Sequence, residues 1–138
     1  MSMDQGPVAA GTNPTYAAYD RTRGCAYFTN ENLEDGCIKA FSLSADGKLS
    51  IINSQPVVGN HPCYLSVEPG TRSILTASYV SGHVHCFPTA ADGSLEPGSS
   101  DALPNDGKCT STPYARVTFT RPAQRCTDTV TTLLYTRY

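Results

Sequence analysis

Apolar and polar residues alternate along seven short segments of the chain, and no segment shows the 3.6-residue apolar spacing of a helix. Alternation with a period of two is typical of a β-strand that buries one face. Residues that favour turns separate the segments. We therefore predict an all-β chain with strands in TYAAYD, CAYFTN, CIKAF, LSIINS, YLSVE, SILTAS and HVHCF.

Two Asp-Gly pairs, at residues 46–47 and 92–93, lie after predicted strands and belong to an internal repeat. Glycine readily adopts the positive φ of a tight turn, so each pair predicts a hairpin. GCIKAFSLSADGKLS (36–50) matches GHVHCFPTAADGSLE (82–96) at an offset of 46 residues, and NPTYAAYD (13–20) matches HPCYLSVE (61–68) at an offset of 48. Propeller blades repeat about every 40–50 residues. The repeat therefore predicts four-stranded antiparallel β-propeller blades.

The repeat divides the chain into four parts. Residues 1–12 form an N-terminal segment, 13–59 a first blade, 60–99 a second blade, and 100–138 a loop with a degenerate third unit. The sequence from Gly98 to Thr112 is predicted to be loop throughout. Because blades bury their faces only against neighbouring blades, we expect a truncated chain with an incomplete ring. Unpaired blade faces would then favour self-association.

The 138-residue chain has a formal net charge of −2, which does not suit a nucleic-acid partner. No apolar run approaches the roughly 20 residues that cross a membrane. The N-terminus, MSMDQGPVAAG, lacks the basic and apolar regions of a secretory signal. We therefore predict a cytoplasmic protein with no membrane partner, whose six cysteines are reduced.

Five motifs between residues 13 and 99 together resemble the lactonase family of seven-bladed β-propellers. They are an Asn-Pro-x-aromatic blade start, Asn-Glu after a strand, Gly-x-x-Pro-Cys, Ser-Tyr-x-Ser-Gly-x-Val and Ala-Asp-Gly-x-Leu. Family members usually have a histidine where this chain has Tyr64. They also have a PHxHS motif where this chain has Tyr114 and Arg116 at the histidine positions.

This resemblance implies hydrolysis of a sugar lactone such as 6-phosphogluconolactone. It implies a small-molecule lactone or carboxylate partner and no cofactor. Two alternatives stay open from the sequence. One is carboxymuconate cyclase-type chemistry, which forms a lactone, and the other is a catalytically inactive propeller fragment that serves as an interaction module.

The candidate site residues lie in loops expected to face the central channel of a propeller. Glu31 follows a strand beside Asn30, and a carboxylate next to an amide can act as a general base or orient a water. His61 precedes a channel-side strand, and histidine titrates near neutral pH. We predict that His61 and Glu31 are catalytic and that Asn30, Tyr79 and Arg72 bind substrate, since arginine suits a bidentate anion.

His83 and His85 are the pair that most resembles a metal site. Residues two apart in a strand lie on one face, but no further ligand cluster accompanies them. We therefore predict no metal.

Overall fold

A computed structural model describes residues 8–68, 70–78 and 80–102. Within these residues, eight strands form two four-stranded antiparallel sheets, each with its strands in chain order. No helix in this part of the chain is long and apolar enough to cross a membrane. The first sheet contains β1 (Pro14–Asp20), β2 (Cys25–Asn30), β3 (Cys37–Leu43) and β4 (Leu49–Pro56), and the second contains β5 (Pro62–Glu68), β6 (Ser73–Ser78), β7 (His83–Pro88) and β8 (Ser99–Ala102).

The predicted strands and the all-β blade architecture are confirmed in the described residues. The two Asp-Gly turns are confirmed as well, since Gly47 and Gly93 have φ values of 85° and 86°. In each turn the glycine N–H donates to the carbonyl three residues earlier, at 2.9 Å to Ser44 and 3.0 Å to Ala90. An L side chain rarely adopts this φ, which explains the recurrence of glycine at the position.

Strand β8 lies where the sequence predicted only loop. Ser99–Ala102 pairs antiparallel with β7, from Cys86 opposite Ser99 to His83 opposite Ala102. The short sequence SSDA has no apolar alternation, and its backbone pairing with β7 is what identifies this strand. The loop prediction is therefore wrong for these four residues, and the second sheet extends to Ala102.

The apolar core of the described residues lies between the two sheets. Tyr27 is fully buried there, and its hydroxyl donates at 2.9 Å to the carbonyl of Gly93 in a turn of the second blade. A fully buried large apolar side chain stabilises a fold by about 1.5–3 kcal/mol. Burial between the sheets therefore holds the two blades together. The core residues are Cys25, Tyr27, Ile38, Ala40, Leu65, Ile74, Phe87 and Leu95.

Asn53 on β4 adds a polar clamp at the outer side of the interface between the blades. Its side-chain oxygen accepts a hydrogen bond from the Leu95 N–H at 3.0 Å, and its Nδ2 donates to the Leu95 carbonyl at 2.8 Å. Leu95 lies in the segment between β7 and β8. Within its own blade it forms an isolated antiparallel β-bridge with Thr89. The first blade thus satisfies backbone groups of the second blade.

A second clamp joins the turn after β1 to the second blade through Arg23. Its Nε donates to Asp20 Oδ2 at 2.6 Å, and its Nη1 donates to Thr89 Oγ1 at 2.6 Å and to the Ala90 carbonyl at 3.0 Å. Burial raises the pKa of Asp20, but hydrogen bonds from Thr22 and Arg23 outweigh it and hold that pKa below its usual value. Both ends of this ion pair are largely removed from water.

We expect Arg23→Gln to lower the free energy of unfolding by about 1.5–3 kcal/mol, the usual contribution of hydrogen bonds to a charged group. The substitution removes the bonds to the second blade and leaves Asp20 without its ion-pair partner. Denaturant unfolding of the full chain measures the change. Arg21→Gln is the matched control, because Arg21 is exposed in the same turn. Equal stability of the two variants would contradict the clamp.

The same ion pair predicts a loss of stability in acid. Because the folded-state pKa of Asp20 lies below its ordinary value of 3.8, ionised Asp20 stabilises the fold above that value. The contribution disappears as the pH falls through the lowered pKa. Asp20→Asn should therefore be less stable than the original chain at pH 7 and lose less stability on acidification. Unfolding curves from pH 7 to pH 2 measure both differences, and parallel curves would contradict the assignment.

Candidate active site

The starts of the two blades meet at one end of the described structure. We name this the opening edge, which comprises residues 10–13, 30–32 and 57–61. His61 Nδ1 lies 3.8 Å from Glu31 Oε1, and their side chains are 31% and 24% exposed. The two side chains predicted as catalytic from separate parts of the sequence are therefore neighbours, one from each blade. Their placement makes a water-accessible acid–base pair.

Asn13 fixes the backbone of Glu31. The Glu31 N–H donates to the Asn13 carbonyl at 2.9 Å, and Asn13 Nδ2 donates to the Glu31 carbonyl at 2.7 Å. These two bonds tie the end of β2 to the residue that precedes β1. The carboxylate of Glu31 thus projects from a peptide that is held on both sides.

The backbone of His61 is held by the loop after β2. Its N–H donates to the Asn32 carbonyl at 3.3 Å, and Asn32 Nδ2 donates to Thr12 Oγ1 at 2.8 Å. His61 has a φ of 56°, in the left-handed region that side chains other than glycine seldom occupy. Backbone strain of this kind is concentrated at functional sites, where the surrounding structure maintains it.

This arrangement suits general base catalysis. The Glu31 carboxylate faces Nδ1 of His61, so Nε2 points away from it and can accept a proton from a water molecule. An imidazolium formed in that step is attracted to the carboxylate, as in other His–carboxylate pairs. At 3.8 Å the two atoms are farther apart than in a direct hydrogen bond but within the range of an ion pair.

Asn30, predicted to bind substrate, is buried and binds the chain itself. Only 1% of it is exposed, and its Nδ2 donates to the Ala10 carbonyl at 2.9 Å. A Cβ at Gly11 would overlap the Asn30 amide, so glycine there provides the space that the amide fills. The structure thus shows Asn30 anchoring the N-terminal segment against β2.

Arg72, the second predicted substrate ligand, lies at the far end of β5 from His61. Seven strand residues separate the two ends, a length of about 23 Å at roughly 3.3 Å per residue. Arg72 has a φ of 54°, and its carbonyl accepts bonds from the Thr89 N–H at 3.1 Å and Thr89 Oγ1 at 2.5 Å. Arg72 therefore belongs to a turn remote from His61 and Glu31. Tyr79, the third predicted ligand, lies outside the described residues.

The His83–His85 pair shares one strand face, with ring centroids 6.2 Å apart. His85 Nε2 lies 2.7 Å from the Val58 carbonyl, and burial lowers the pKa of His85. Across residues 8–68, 70–78 and 80–102, no group of three or more His, Cys, Asp or Glu side chains could hold a metal ion.

An aromatic contact between the two blades was not predicted from the sequence. The rings of Tyr16 on β1 and Tyr64 on β5 are 4.7 Å apart, and Tyr16 is 39% exposed. Burial raises the pKa of Tyr64, and the nearby Tyr16 raises it further. The two tyrosines are repeat partners at the offset of 48, a signal that could have placed them together. They lie on the first strands of the two blades, which carry the opening edge.

Comparison with known proteins gives the family. The family described as Lactonase, 7-bladed beta-propeller matches residues 3–117. The chain belongs to this lactonase family. It is 36% identical over 91 residues to the 6-phosphogluconolactonase of Bacillus subtilis. That match covers 65% of this chain but only 26% of the relative's length.

Two solved structures share the fold of this lactonase-family chain. The periplasmic gluconolactonase of Pseudomonas aeruginosa has a TM-score of 0.63 and 27% identity, with 70% of this chain and 30% of that chain covered. A protein from Lactobacillus plantarum has a TM-score of 0.62 and 26% identity, with 71% and 28% covered. These matches span about a quarter to a third of the relatives' lengths.

We expect Arg72→Gly to raise the free energy of unfolding by about 1 kcal/mol, because glycine relieves the strain of the left-handed φ. The first blade supports this expectation, since Gly24 occupies the repeat position with a φ of 63°. Thermal and denaturant unfolding of the full chain measure the change. Arg72→Ala is the matched control, since alanine keeps the strain while removing the side chain. Equal gains from both variants would contradict the backbone explanation.

Proposed function

We propose that this chain carries a lactone hydrolase site in which His61 is the general base and Glu31 its carboxylate partner. The observation that carries the proposal is the 3.8 Å separation of these two side chains across the boundary between the blades. The name of the Bacillus subtilis relative, 6-phosphogluconolactonase, supports a sugar lactone as substrate. The gluconolactonase name of the Pseudomonas aeruginosa structure supports the same class.

The proposed reaction is the addition of water to the lactone carbonyl. His61 Nε2 accepts a proton from water as the water oxygen bonds to the carbonyl carbon, and Glu31 stabilises the imidazolium. The tetrahedral intermediate then collapses, and the bond between the carbonyl carbon and the ring oxygen breaks. The proton held by His61 passes to that ring oxygen, which becomes the hydroxyl of an open-chain hydroxy acid. No group is oxidised or reduced in these steps.

The Tyr16–Tyr64 pair supplies a surface beside the catalytic pair in this proposal. Tyr64 follows His61 by three residues on the strand that starts at the opening edge. An aromatic face with a polar hydroxyl suits the C–H and O–H groups of a sugar ring. Tyr64 stands where family members usually have histidine, so base catalysis in this chain is assigned to His61. The lactone is the proposed small-molecule partner, and the cytoplasmic location stays a prediction.

We expect His61→Gln to reduce kcat/KM for hydrolysis of 6-phosphogluconolactone by about 10²–10⁴-fold, the usual contribution of a general base. Glu31→Gln should reduce it as well, because the imidazolium then lacks its counter-charge. Initial rates of acid release by the full chain, above the spontaneous rate, measure both effects.

Glu34→Gln is the matched control for Glu31→Gln, since Glu34 is an exposed carboxylate in the same loop. It should leave the rate unchanged. A folded chain that does not exceed the spontaneous rate would contradict lactone hydrolysis by these residues. Unchanged kcat/KM in His61→Gln would contradict the assigned base.

A further inference from the structure

A side chain of β7 holds the loop that carries His61. His85 Nε2 lies 2.7 Å from the carbonyl of Val58, which precedes His61 by three residues. Burial lowers the pKa of His85, so its ring is neutral at pH 7 and has a single N–H. A carbonyl oxygen only accepts hydrogen bonds, which places that hydrogen on Nε2. His85 therefore donates to the Val58 carbonyl.

The ring of His85 is itself fixed by packing. The side chain is buried, and its ring is stacked on that of Phe87 with centroids 5.9 Å apart and an interplanar angle of 8°. Phe87 belongs to the apolar core between the two blades. A side chain whose rotamer is fixed by packing places its polar atoms accurately. The donor of His85 thus has a defined position relative to the core.

The other backbone hydrogen bonds at the ends of the 57–61 loop reach the first blade. The Val57 N–H donates to the Gly36 carbonyl at 3.0 Å, and the His61 N–H donates to the Asn32 carbonyl at 3.3 Å. His85 comes instead from the second blade, whose first strand begins directly after the loop. It therefore connects the middle of the loop to the blade that His61 leads into.

The conformation of this loop requires such support. Gly59 has a φ of 84° and His61 a φ of 56°. Glycine loses more conformational entropy on ordering than any other residue, and a left-handed φ strains a residue that has a side chain. The side chain of Val58 is 60% exposed, so its burial offsets little of this cost. The hydrogen bond to its carbonyl stabilises the loop where apolar packing does not.

The repeat shows that both blades hold the same carbonyl with different side chains. The offset of 48 pairs Ala10 with Val58 and Asn30 with Ser78. In the first blade, Asn30 Nδ2 donates to the Ala10 carbonyl at 2.9 Å. The hydroxyl of Ser78 has no hydrogen-bond partner among the described residues, and His85 satisfies the equivalent carbonyl from another strand. Replacement of one donor by another indicates that this point of the loop must be held.

We propose that His85 is a positioning residue that holds His61 beside the Glu31 carboxylate through the Val58 carbonyl. The inference rests on the proposed function, in which His61 is the general base. His85 does not contact water or lactone in this role and acts only through the loop. Misplacing a catalytic group by about 1 Å can reduce a rate by about 10²-fold. A bond three residues from the base is close enough to control its position at the 3.8 Å separation from Glu31.

Two variants of His85 separate its N–H from its ring. His85→Phe keeps a ring that can stack on Phe87 but removes the donor, whereas His85→Gln removes the ring and keeps an N–H of similar reach. We expect His85→Phe to lower kcat for 6-phosphogluconolactone roughly 10–100-fold at unchanged KM. His85→Gln should retain most of the original kcat. The reverse order of the two variants would show that ring packing matters and would overturn the proposal.

A double variant tests whether His85 acts through His61. Without the base there is no base to misplace, so His61→Gln/His85→Phe should have the same kcat as His61→Gln alone. A further loss in the double variant, equal to that of His85→Phe in the original chain, would show an effect independent of His61. That result would refute the positioning role.

Amide hydrogen exchange of the full chain tests the loop without reference to activity. In His85→Phe the Val57 and His61 amides should exchange about 3–10-fold faster, as expected for one lost hydrogen bond. The amides of β2 and β6 should be unchanged, and His85→Gln should exchange like the original chain. His85→Leu, which also lacks a donor, replaces His85→Phe if the latter does not fold.

The exchange result distinguishes this inference from the proposed function. A chain that hydrolyses no lactone contradicts the proposed function, whereas faster exchange confined to the loop still supports the hold by His85. Unchanged exchange of Val57 and His61 in the donor-free variant would overturn the positioning role even in an active enzyme.

Discussion

The burial of an apolar sheet face between two blades is the constraint on which the rest of the structure depends. A four-stranded sheet that is apolar on one face needs a covering layer, and here the first blade covers the second. Tyr27 and Ile38 meet Leu65 and Ile74 in a continuous core. This packing fixes how the chain passes from β4 to β5. It thereby brings His61 of the second blade to Glu31 of the first.

Polar contacts add specificity to this apolar interface. Asn53 and Arg23 reach across it to backbone groups of the second blade, and the Tyr27 hydroxyl does the same from within the core. Each of these bonds reaches a backbone carbonyl or N–H in the segment between β7 and β8 of the second blade. The interface is therefore asymmetric, because side chains of the first blade form hydrogen bonds with backbone groups of the second blade.

Positions at which the two blades differ indicate functional residues better than positions at which they are alike. Positions that are alike in both blades, such as Gly47 and Gly93, support turns. Positions that differ carry a new role or an unsatisfied group. Asn30 donates to the Ala10 carbonyl, whereas the hydroxyl of Ser78 at the same position has no hydrogen-bond partner among the described residues. His61 stands where the first blade has Asn13. It has a left-handed φ of 56° and lies next to the Glu31 carboxylate.

Much of the fold could be predicted from the sequence. Apolar–polar alternation and Asp-Gly turns determine structure through residues that are close together in the chain. Strand β8 was missed because the sequence SSDA has no apolar alternation. Its residues are nevertheless the repeat partners of residues 53–56 of β4 at the offset of 46. His61 and Glu31 were each predicted, but their contact depends on how the blades pack, which no local pattern encodes. The position of Arg72 in a turn with a left-handed φ could have been predicted from its repeat partner, Gly24. The hydrogen bond from Asn30 to the Ala10 carbonyl depends on how the N-terminal segment folds back on β2, which no local pattern encodes.

Native-state hydrogen exchange of Leu65→Ala tests most directly whether the interface between the blades holds both sheets. Leu65 belongs to the second blade and is 1% exposed in the shared core. Truncating a buried leucine typically costs about 2–5 kcal/mol. We predict that the slowest amides of β2 and β6 lose protection by the same free energy, because one core stabilises both sheets. Loss of protection in β6 with β2 unchanged would contradict the account.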